Sequence, residues 1–213
     1  SSKGAGTVMR VAPVGIALAG DPEGAYRLGA ATARLTHGHP TAAVAAGAMA
    51  ALVALLVSGG EPRDALGLAL DLVRRDGSDR GQTSAAVVAA LRTKGLNPTR
   101  AEAMGGGWTA ESALAIGVAC QLLARPHLHV RERAQAAVNH GGDSDTTGAV
   151  AGALLGARHG QGAIPPEWLE PLEGREELTA LAAELERPGA RRDEPPSAAR
   201  RADASRLPRR TPG

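Results

Sequence analysis

The chain holds almost no aromatic side chains, and this limits what its core can be. Aromatic residues make up 1% of the sequence, with no Phe, while 43% of the residues are apolar and 28 are Gly. The core volume must therefore come from Ala, Val and Leu. Small side chains let helices approach closely but give few bulky anchors for a sheet. The composition favours tightly packed helices.

Apolar residues recur at helical spacing along most of the sequence, and no strand pattern of any length is present. At 213 residues, the chain fits one domain with a real core. The pattern predicts an all-α fold, a compact helical bundle with functional loops. The expected helices cover residues 24–35, 42–57 with Thr41 as N-cap, 62–75, 83–94, 110–123 with Thr109 as N-cap, 130–139, 145–159 and 176–186.

The remaining composition bears on location and partners. Cys120 is the only cysteine, which fits a reducing, cytoplasmic setting, and its apolar surroundings predict a buried structural thiol. No segment is typical of a signal peptide or a membrane span. Residues 187–213 are rich in Arg and Pro and hold no aromatic that could stack on bases, so we expect a disordered, dispensable tail and no nucleic-acid partner.

The strongest chemical signal is the stretch NHGGDSDTTG at residues 139–148. Asp143 and Asp145 follow a glycine pair and, with the hydroxyl of Thr146, offer the hard oxygen ligands that Mg²⁺ or Mn²⁺ prefers. A helix is expected to begin here, which favours carboxylates through its free N–H groups. The pattern also fits a simple N-cap at Asp143 or Ser144 after a glycine turn. Spacing alone leaves both interpretations open.

Two weaker signals lie upstream. The stretch SKGAGTVMRVAP at residues 2–13 contains Gly4 and Gly6, whose loop could expose backbone N–H groups to an anion, although such a glycine pair more often forms a plain tight turn. His37 and His39 lie in the break LTHGHP between two predicted helices. Loops often carry ligand contacts, but a loop His is also commonly just solvated.

Taken together and in order, four segments resemble the ADP-ribosylglycohydrolase family, which includes the dinitrogenase reductase-activating glycohydrolase and the ADP-ribosyl-arginine and ADP-ribosyl-serine hydrolases. The segments are SKGAGTVMRVAP, TARLTHGHP, GGGWTAESALAIG and AVNHGGDSDTTGAVAGALLGA. The resemblance covers residues 2 to 185, and we take 1–186 as the domain. It implies an all-α fold that binds two Mg²⁺ or Mn²⁺ ions in a central cleft.

The resemblance also implies roles for particular residues. Asp143, Asp145 and Thr146 match the metal ligands of the family, and the two aspartates would also orient the attacking water. The substrate-binding positions are Ser2, Gly4, Ala5 and Gly6, in the loop around ADP-ribose, and His37. The segment with Trp108 and Glu111 is expected to pack beside the cleft. The implied reaction is metal-dependent hydrolysis of the bond that links ADP-ribose to a protein side chain or a small molecule.

The sequence also departs from the family pattern. Family members carry an upstream half with a Thr-Asp-Asp triplet that supplies further metal ligands, and this chain contains no such triplet. The chain is therefore expected to lack part of its relatives' N-terminal region, to hold one or both ions poorly, and to self-associate through exposed apolar surface. The alternative function is an inactive or truncated ADP-ribose-binding module. A purely structural role, as in the lens-crystallin relatives, is disfavoured by the retained Asp143, Asp145 and His37.

Overall fold

The fold is all-α, as the composition predicts. A computed structural model describes residues 1–93, 95–123 and 129–185, and within these residues no strand is present apart from one isolated antiparallel bridge between Gly4 and Thr109. The expected tail at 187–213 lies outside the described residues. The helices are α1 Gly6–Met9, α2 Ala12–Ala17, α3 Pro22–Arg34, α4 Pro40–Val57, α5 Pro62–Asp76, α6 Gln82–Leu91, α7 Pro98–Ala103, α8 Ala110–Leu123, α9 Val130–Val138, α10 Ser144–His159, α11 Pro166–Leu169 and α12 Arg175–Leu185, with a 3₁₀ turn at Gln161–Ala163.

Helix α4 is the centre of the fold. Nearly all of its residues from Thr41 to Leu56 are buried, and it packs against α1, α2, α3, α5, α6, α8 and α10. Among the described residues it is the one helix long and apolar enough to cross a membrane, but 83% of that span is buried inside the protein. Its apolar faces are thus occupied by the surrounding helices.

Small residues set the spacing between these helices. A Cβ atom on Gly29 of α3 would lie 2.8 Å from the Cβ of Ala50 and 2.9 Å from the carbonyl oxygen of Ala46, both on α4. A Cβ atom on Gly117 of α8 would lie 2.7 Å from Cγ1 of Val150 on α10. Cys120 is also buried in this core, and burial raises the pKa of its thiol to about 12, which confirms a structural thiol.

Two local predictions are wrong. The N-cap of α4 is His39 rather than Thr41, because Pro40 takes the first helical position and the Nδ1 atom of His39 accepts a hydrogen bond from the N–H of Thr41 at 3.2 Å. The stretch 2–13 is not one loop, since α1 begins at Gly6 and α2 at Ala12. Buried Val8 and Val11 hold these short helices against the core.

We expect Gly29→Ala to destabilise the protein by about 1–3 kcal/mol, because the added methyl group forces α3 away from α4. Gly67→Ala is the matched control, because Gly67 lies on the exposed face of α5 with no atom within 4 Å of an added Cβ. That change should raise the free energy of unfolding by about 1 kcal/mol through helix propensity. Urea denaturation measures both, and equal effects of the two substitutions would contradict the close-packing argument.

Candidate functional site

The acidic turn, residues 140–146, leads into α10. Asp143 stands at the N-cap position of α10. Hydrogen bonds from the side chain and the backbone of Thr146 act to lower the pKa of its carboxyl, so the capping interpretation stays open beside metal binding. Asp143 is half-buried and Asp145 is exposed. Thr146 is 4% exposed, and its hydroxyl donates to the sulfur of Met9 at 3.2 Å. A hydroxyl that donates in this way keeps its oxygen lone pairs for another partner.

The two carboxylates of the turn influence each other. Partial desolvation raises the pKa of Asp143, and a hydrogen bond shared with the Asp145 side chain adds to the rise. The same hydrogen bond lowers the pKa of Asp145. Carboxylates close enough to share a proton repel each other once both are ionised, and a divalent cation between them relieves that repulsion.

A glycine turn holds the acidic turn in place. Gly105, Gly106 and Gly107 all have positive φ, at 95°, 60° and 86°, and the carbonyl oxygen of Gly106 accepts a hydrogen bond from the N–H of Asp143 at 2.7 Å. A Cβ atom on Gly142 would lie 2.3 Å from that same oxygen. Both segments therefore need glycine, because any side chain would push the acidic turn away from its support.

A further support of the acidic turn, Glu102, has no signal in the local sequence pattern. Its Oε1 atom accepts a hydrogen bond from the N–H of Gly141 at 2.9 Å. Glu102 lies on the short helix α7, which the apolar pattern did not predict, and an exposed acid on a helix is ordinarily solvated. Only the fold shows that this carboxylate meets the acidic turn.

The N-terminal loop, residues 2–6, lies against the start of α8. The Ser2 hydroxyl accepts a hydrogen bond from the N–H of Gly4 at 3.1 Å, and the carbonyl oxygen of Lys3 accepts one from the N–H of Ala110 at 3.0 Å. Ala5 is 4% exposed and belongs to the core. Ser2, Gly4 and Gly6 are more accessible than Ala5, and the substrate contacts expected of all four residues stay a prediction.

His37 lies beside the N-terminal loop. Its Nε2 atom is 3.3 Å from the position that a Cβ on Gly4 would take. On the other side of the ring, Nδ1 is 2.8 Å from the hydroxyl of Thr36, which accepts a hydrogen bond from Arg10 at 2.5 Å. Because Arg10 can only donate, the Thr36 hydroxyl keeps its own proton for Nδ1 of His37 or for the carbonyl oxygen of Ala33, which is 3.5 Å away.

The contacts join the three motifs into one neighbourhood. His37 meets Gly4, Gly4 bridges to Thr109, and Met9, at the end of α1, meets Thr146. A Cβ on Gly107 would lie 3.2 Å from the carbonyl oxygen of Asp143. The first turns of α4, α8 and α10 all lie in this neighbourhood. The free N–H groups at the start of a helix favour negative charge nearby. Which of these residues touch a ligand stays a prediction.

Of the two residues expected to pack beside the cleft, Glu111 has a structural role and Trp108 does not. Glu111 is buried, and its Oε1 atom forms an ion pair with the Nζ atom of Lys3 at 2.5 Å, while Nζ also donates to Gln82 at 3.3 Å. This pair fastens the N-terminal loop to α8. Trp108 does not pack, because 64% of its surface is exposed at the point where the glycine turn enters α8.

The residues present fit a divalent cation only in part. Asp143, Asp145 and Thr146 supply hard oxygens on one side of an ion. In the described part of the chain, no group of three or more acidic, His or Cys side chains is placed to hold a metal. These oxygens lie on one side only, and whether they hold a cation stays a prediction.

The sequence profile of the ADP-ribosylglycohydrolase family matches residues 1–195. The chain belongs to this family. A solved structure, an ADP-ribosylglycohydrolase-related protein complex, has a TM-score of 0.69 and 35% identity to it over 86% of this chain. The fold and the family resemblance are thereby confirmed.

Curated relatives match over shorter stretches. The ADP-ribosyl-[dinitrogen reductase] glycohydrolase of Rhodospirillum rubrum is 58% identical over 36 residues, which is 17% of this chain and 12% of the relative. The ADP-ribosylhydrolase ARH3 of Homo sapiens is 42% identical over 50 residues, which is 24% of this chain and 14% of the relative. The chain also covers only 60% of the solved relative. The match therefore spans only part of each of these proteins.

Lys3→Met is expected to destabilise the protein by about 1–3 kcal/mol, because it leaves the carboxylate of Glu111 buried without a partner. The double variant Lys3→Met, Glu111→Gln should recover part of this loss, since it removes the unpaired charge. Thermal or urea unfolding of the two single variants and the double variant gives the coupling energy. Strictly additive effects would show that the ion pair does not hold the loop.

Proposed function

We propose that this chain supplies one wall of the active site of a divalent-cation-dependent hydrolase, which cleaves the glycosidic bond between ADP-ribose and a protein side chain or small molecule. One observation carries the proposal. The paired carboxylates of Asp143 and Asp145 lie at the start of α10, in contact through the glycine turn and Met9 with the same loop region that meets His37. Acidic ligands and anion-binding backbone thus adjoin each other.

In this proposal, Asp143, Asp145 and Thr146 would hold Mg²⁺ or Mn²⁺. When bound, such an ion orients ribose hydroxyls and lowers the pKa of a coordinated water. The aspartates would also orient that water through their outer oxygens. Their negative charge favours the oxocarbenium character that develops at the ribose carbon as the glycosidic bond breaks.

The N-terminal loop and His37 would bind the rest of the substrate. The loop runs close to the starts of α4 and α8. The N–H of Gly4 already donates to Ser2, so backbone recognition of a pyrophosphate would fall to the N–H groups around the exposed Gly6. The Nε2 atom of His37 lies beside the same loop and, in its protonated form, would donate to a ribose or phosphate oxygen. The ion pair of Lys3 with Glu111 neutralises that lysine, so the backbone rather than the Lys3 charge would recognise the anion.

A second candidate, an ADP-ribose-binding module without turnover, is favoured by one specific observation. The described residues offer two carboxylates and no third acidic, His or Cys ligand at the acidic turn. An ion held by so few oxygens stays largely hydrated, and so we expect this chain by itself to bind Mn²⁺ weakly and to release little ADP-ribose. Binding without release would support this second function.

The deciding experiment measures ADP-ribose release from peptides modified on arginine or on serine, with Mg²⁺, with Mn²⁺ and with a chelator. The chain is assayed beside the longest reading frame that contains it, and binding of free ADP-ribose is measured by calorimetry. Release that depends on metal supports the hydrolase. Absence of both release and ADP-ribose binding in every form would overturn the proposal.

We further propose a cytoplasmic location for the protein, because its single cysteine, Cys120, is buried and free.

Asp145→Asn should abolish release in whichever form is active and raise the dissociation constant for Mn²⁺ by at least about tenfold, because it removes a charged ligand. Asp64→Asn is the matched control, since Asp64 is an exposed acid in the first turn of α5. Calorimetric titration with Mn²⁺ and the release assay measure both. If Asp64→Asn and Asp145→Asn weaken Mn²⁺ binding equally, the ion binds by general charge and not at the acidic turn.

Thr36→Val should raise the dissociation constant for ADP-ribose by about fivefold, equivalent to loss of roughly one hydrogen bond, because the ring of His37 loses its Nδ1 partner. Thr36→Ser keeps the hydroxyl and should bind as the parent does. Titration calorimetry with ADP-ribose checks the pair. An unchanged affinity in Thr36→Val would show either that His37 does not contact the substrate or that Thr36 does not orient the ring of His37.

A further inference from the structure

A chain of hydrogen bonds crosses the acidic turn through His140. The Nδ1 atom of His140 accepts from the N–H of Gly142 at 3.0 Å, and its Nε2 atom lies 2.9 Å from the hydroxyl of Thr147. That hydroxyl in turn donates to the carbonyl oxygen of Ala137 on α9 at 2.7 Å. On the other side, the Ser144 hydroxyl donates to the carbonyl oxygen of His140 at 3.1 Å. His140 thus links the acidic turn to α9 and α10.

The groups at the two ends of this series of hydrogen bonds determine which atom donates in each of them. A backbone N–H group can only donate, so Nδ1 of His140 carries no proton, and the proton of the neutral ring lies on Nε2. The carbonyl oxygen of Ala137 can only accept, so the Thr147 hydroxyl gives its proton there and its oxygen receives the Nε2 proton. One tautomer of His140 satisfies all three bonds. Thr147 is fully buried, so water does not compete for them.

We propose that His140, held in its Nε2–H tautomer by Thr147, is the positioning residue that sets the conformation of the acidic turn. His140 fastens Gly142, which directly precedes Asp143, to Thr147, which lies one helical turn beyond it. Asp143 and Asp145 therefore lie in a segment that His140 holds at both ends. The inference that His140 orients this segment depends on these hydrogen bonds alone. Its use in holding a cation rests on the proposed function.

This role gives a function to His140, which is not among the proposed metal ligands or substrate-binding residues. Its two ring nitrogens are both occupied by the turn and by α10, and so it is not available as a ligand or a proton carrier in this conformation. The hydroxyl of Thr147 is the acceptor that the described residues give to Nε2, so the proposed role depends on a hydroxyl at position 147.

The test uses three variants of the whole chain. Thr147→Val keeps the shape of the side chain, including the methyl group that lies against Gly107, but offers Nε2 no acceptor. Thr147→Ser is the matched control that keeps the hydroxyl. His140→Ala removes the ring from a half-buried position and carries the test if Thr147→Val does not fold, which urea denaturation decides.

Three readouts are taken on each folded variant. Two-bond ¹⁵N correlation spectra of His140 report which ring nitrogen holds the proton. Hydrogen exchange of the Gly142 amide reports the stability of the turn, and calorimetry gives the dissociation constant for Mn²⁺. The parent and Thr147→Ser should show a bare Nδ1, a protonated Nε2 and slow exchange.

In Thr147→Val the tautomer preference should disappear, and in both Thr147→Val and His140→Ala the Gly142 amide should exchange about tenfold faster, the factor that corresponds to about one lost hydrogen bond. The Mn²⁺ dissociation constant should rise by about tenfold to a hundredfold, as for other groups that orient metal ligands.

A proton on Nδ1 in the parent, or unchanged exchange in both Thr147→Val and His140→Ala, would overturn the inference. If the parent binds no Mn²⁺ at all, the cation role of the proposed function fails, and the spectra and exchange rates alone decide whether His140 positions the turn.

Discussion

The structure depends on one constraint, the burial of a helix that has no polar face. Helix α4 is apolar all round from Thr41 to Leu56, and burying such a surface is favourable only if other helices cover every side. Because its side chains are mostly Ala, Val and Leu, the covering helices approach closely. Gly29 and Gly117 show that in places the backbone itself forms the contact surface.

This packing also assembles the candidate site. Helices α1, α8 and α10 all rest on α4, and the starts of α8 and α10 come together where the glycine turn meets Asp143. The start of α4 joins them, since the N–H of His39 donates to the carbonyl oxygen of Ser2 at 3.3 Å. Loops that are far apart in sequence therefore meet at one end of the bundle. Acidic side chains and anions are both favoured there by the helix N–H groups.

The acidic turn is held through its own backbone N–H groups rather than through ion pairs to its aspartates. The carbonyl oxygen of Gly106, the ring of His140 and the carboxylate of Glu102 each take one N–H group of residues 141–143. Such supports fix the direction of Asp143 and Asp145 without neutralising them. Desolvation and the hydrogen bond that the two carboxyls share raise the pKa of Asp143, and the same hydrogen bond lowers the pKa of Asp145.

By itself, the sequence determined the helical class, the approximate bounds of eight of the longer helices, the family and the two aspartates. These follow from local rules, because helical periodicity and a glycine-flanked acidic motif are written in consecutive residues. It did not reveal α1, α2, α7 or α11, whose four to six residues hold too few turns to show a period. It also placed the N-cap of α4 at Thr41 instead of His39.

Only the tertiary structure decided which distant residues support one another. The pairing of Lys3 with Glu111, the contact of Glu102 with Gly141 and the exposure of Trp108 leave no trace in local pattern. Each depends on how closely small-residue helices approach, and that distance is set by packing throughout the core. The sequence shows only that a carboxylate lies on a helix. Which residue it contacts, and so what it does, depends on the element that the fold packs against it.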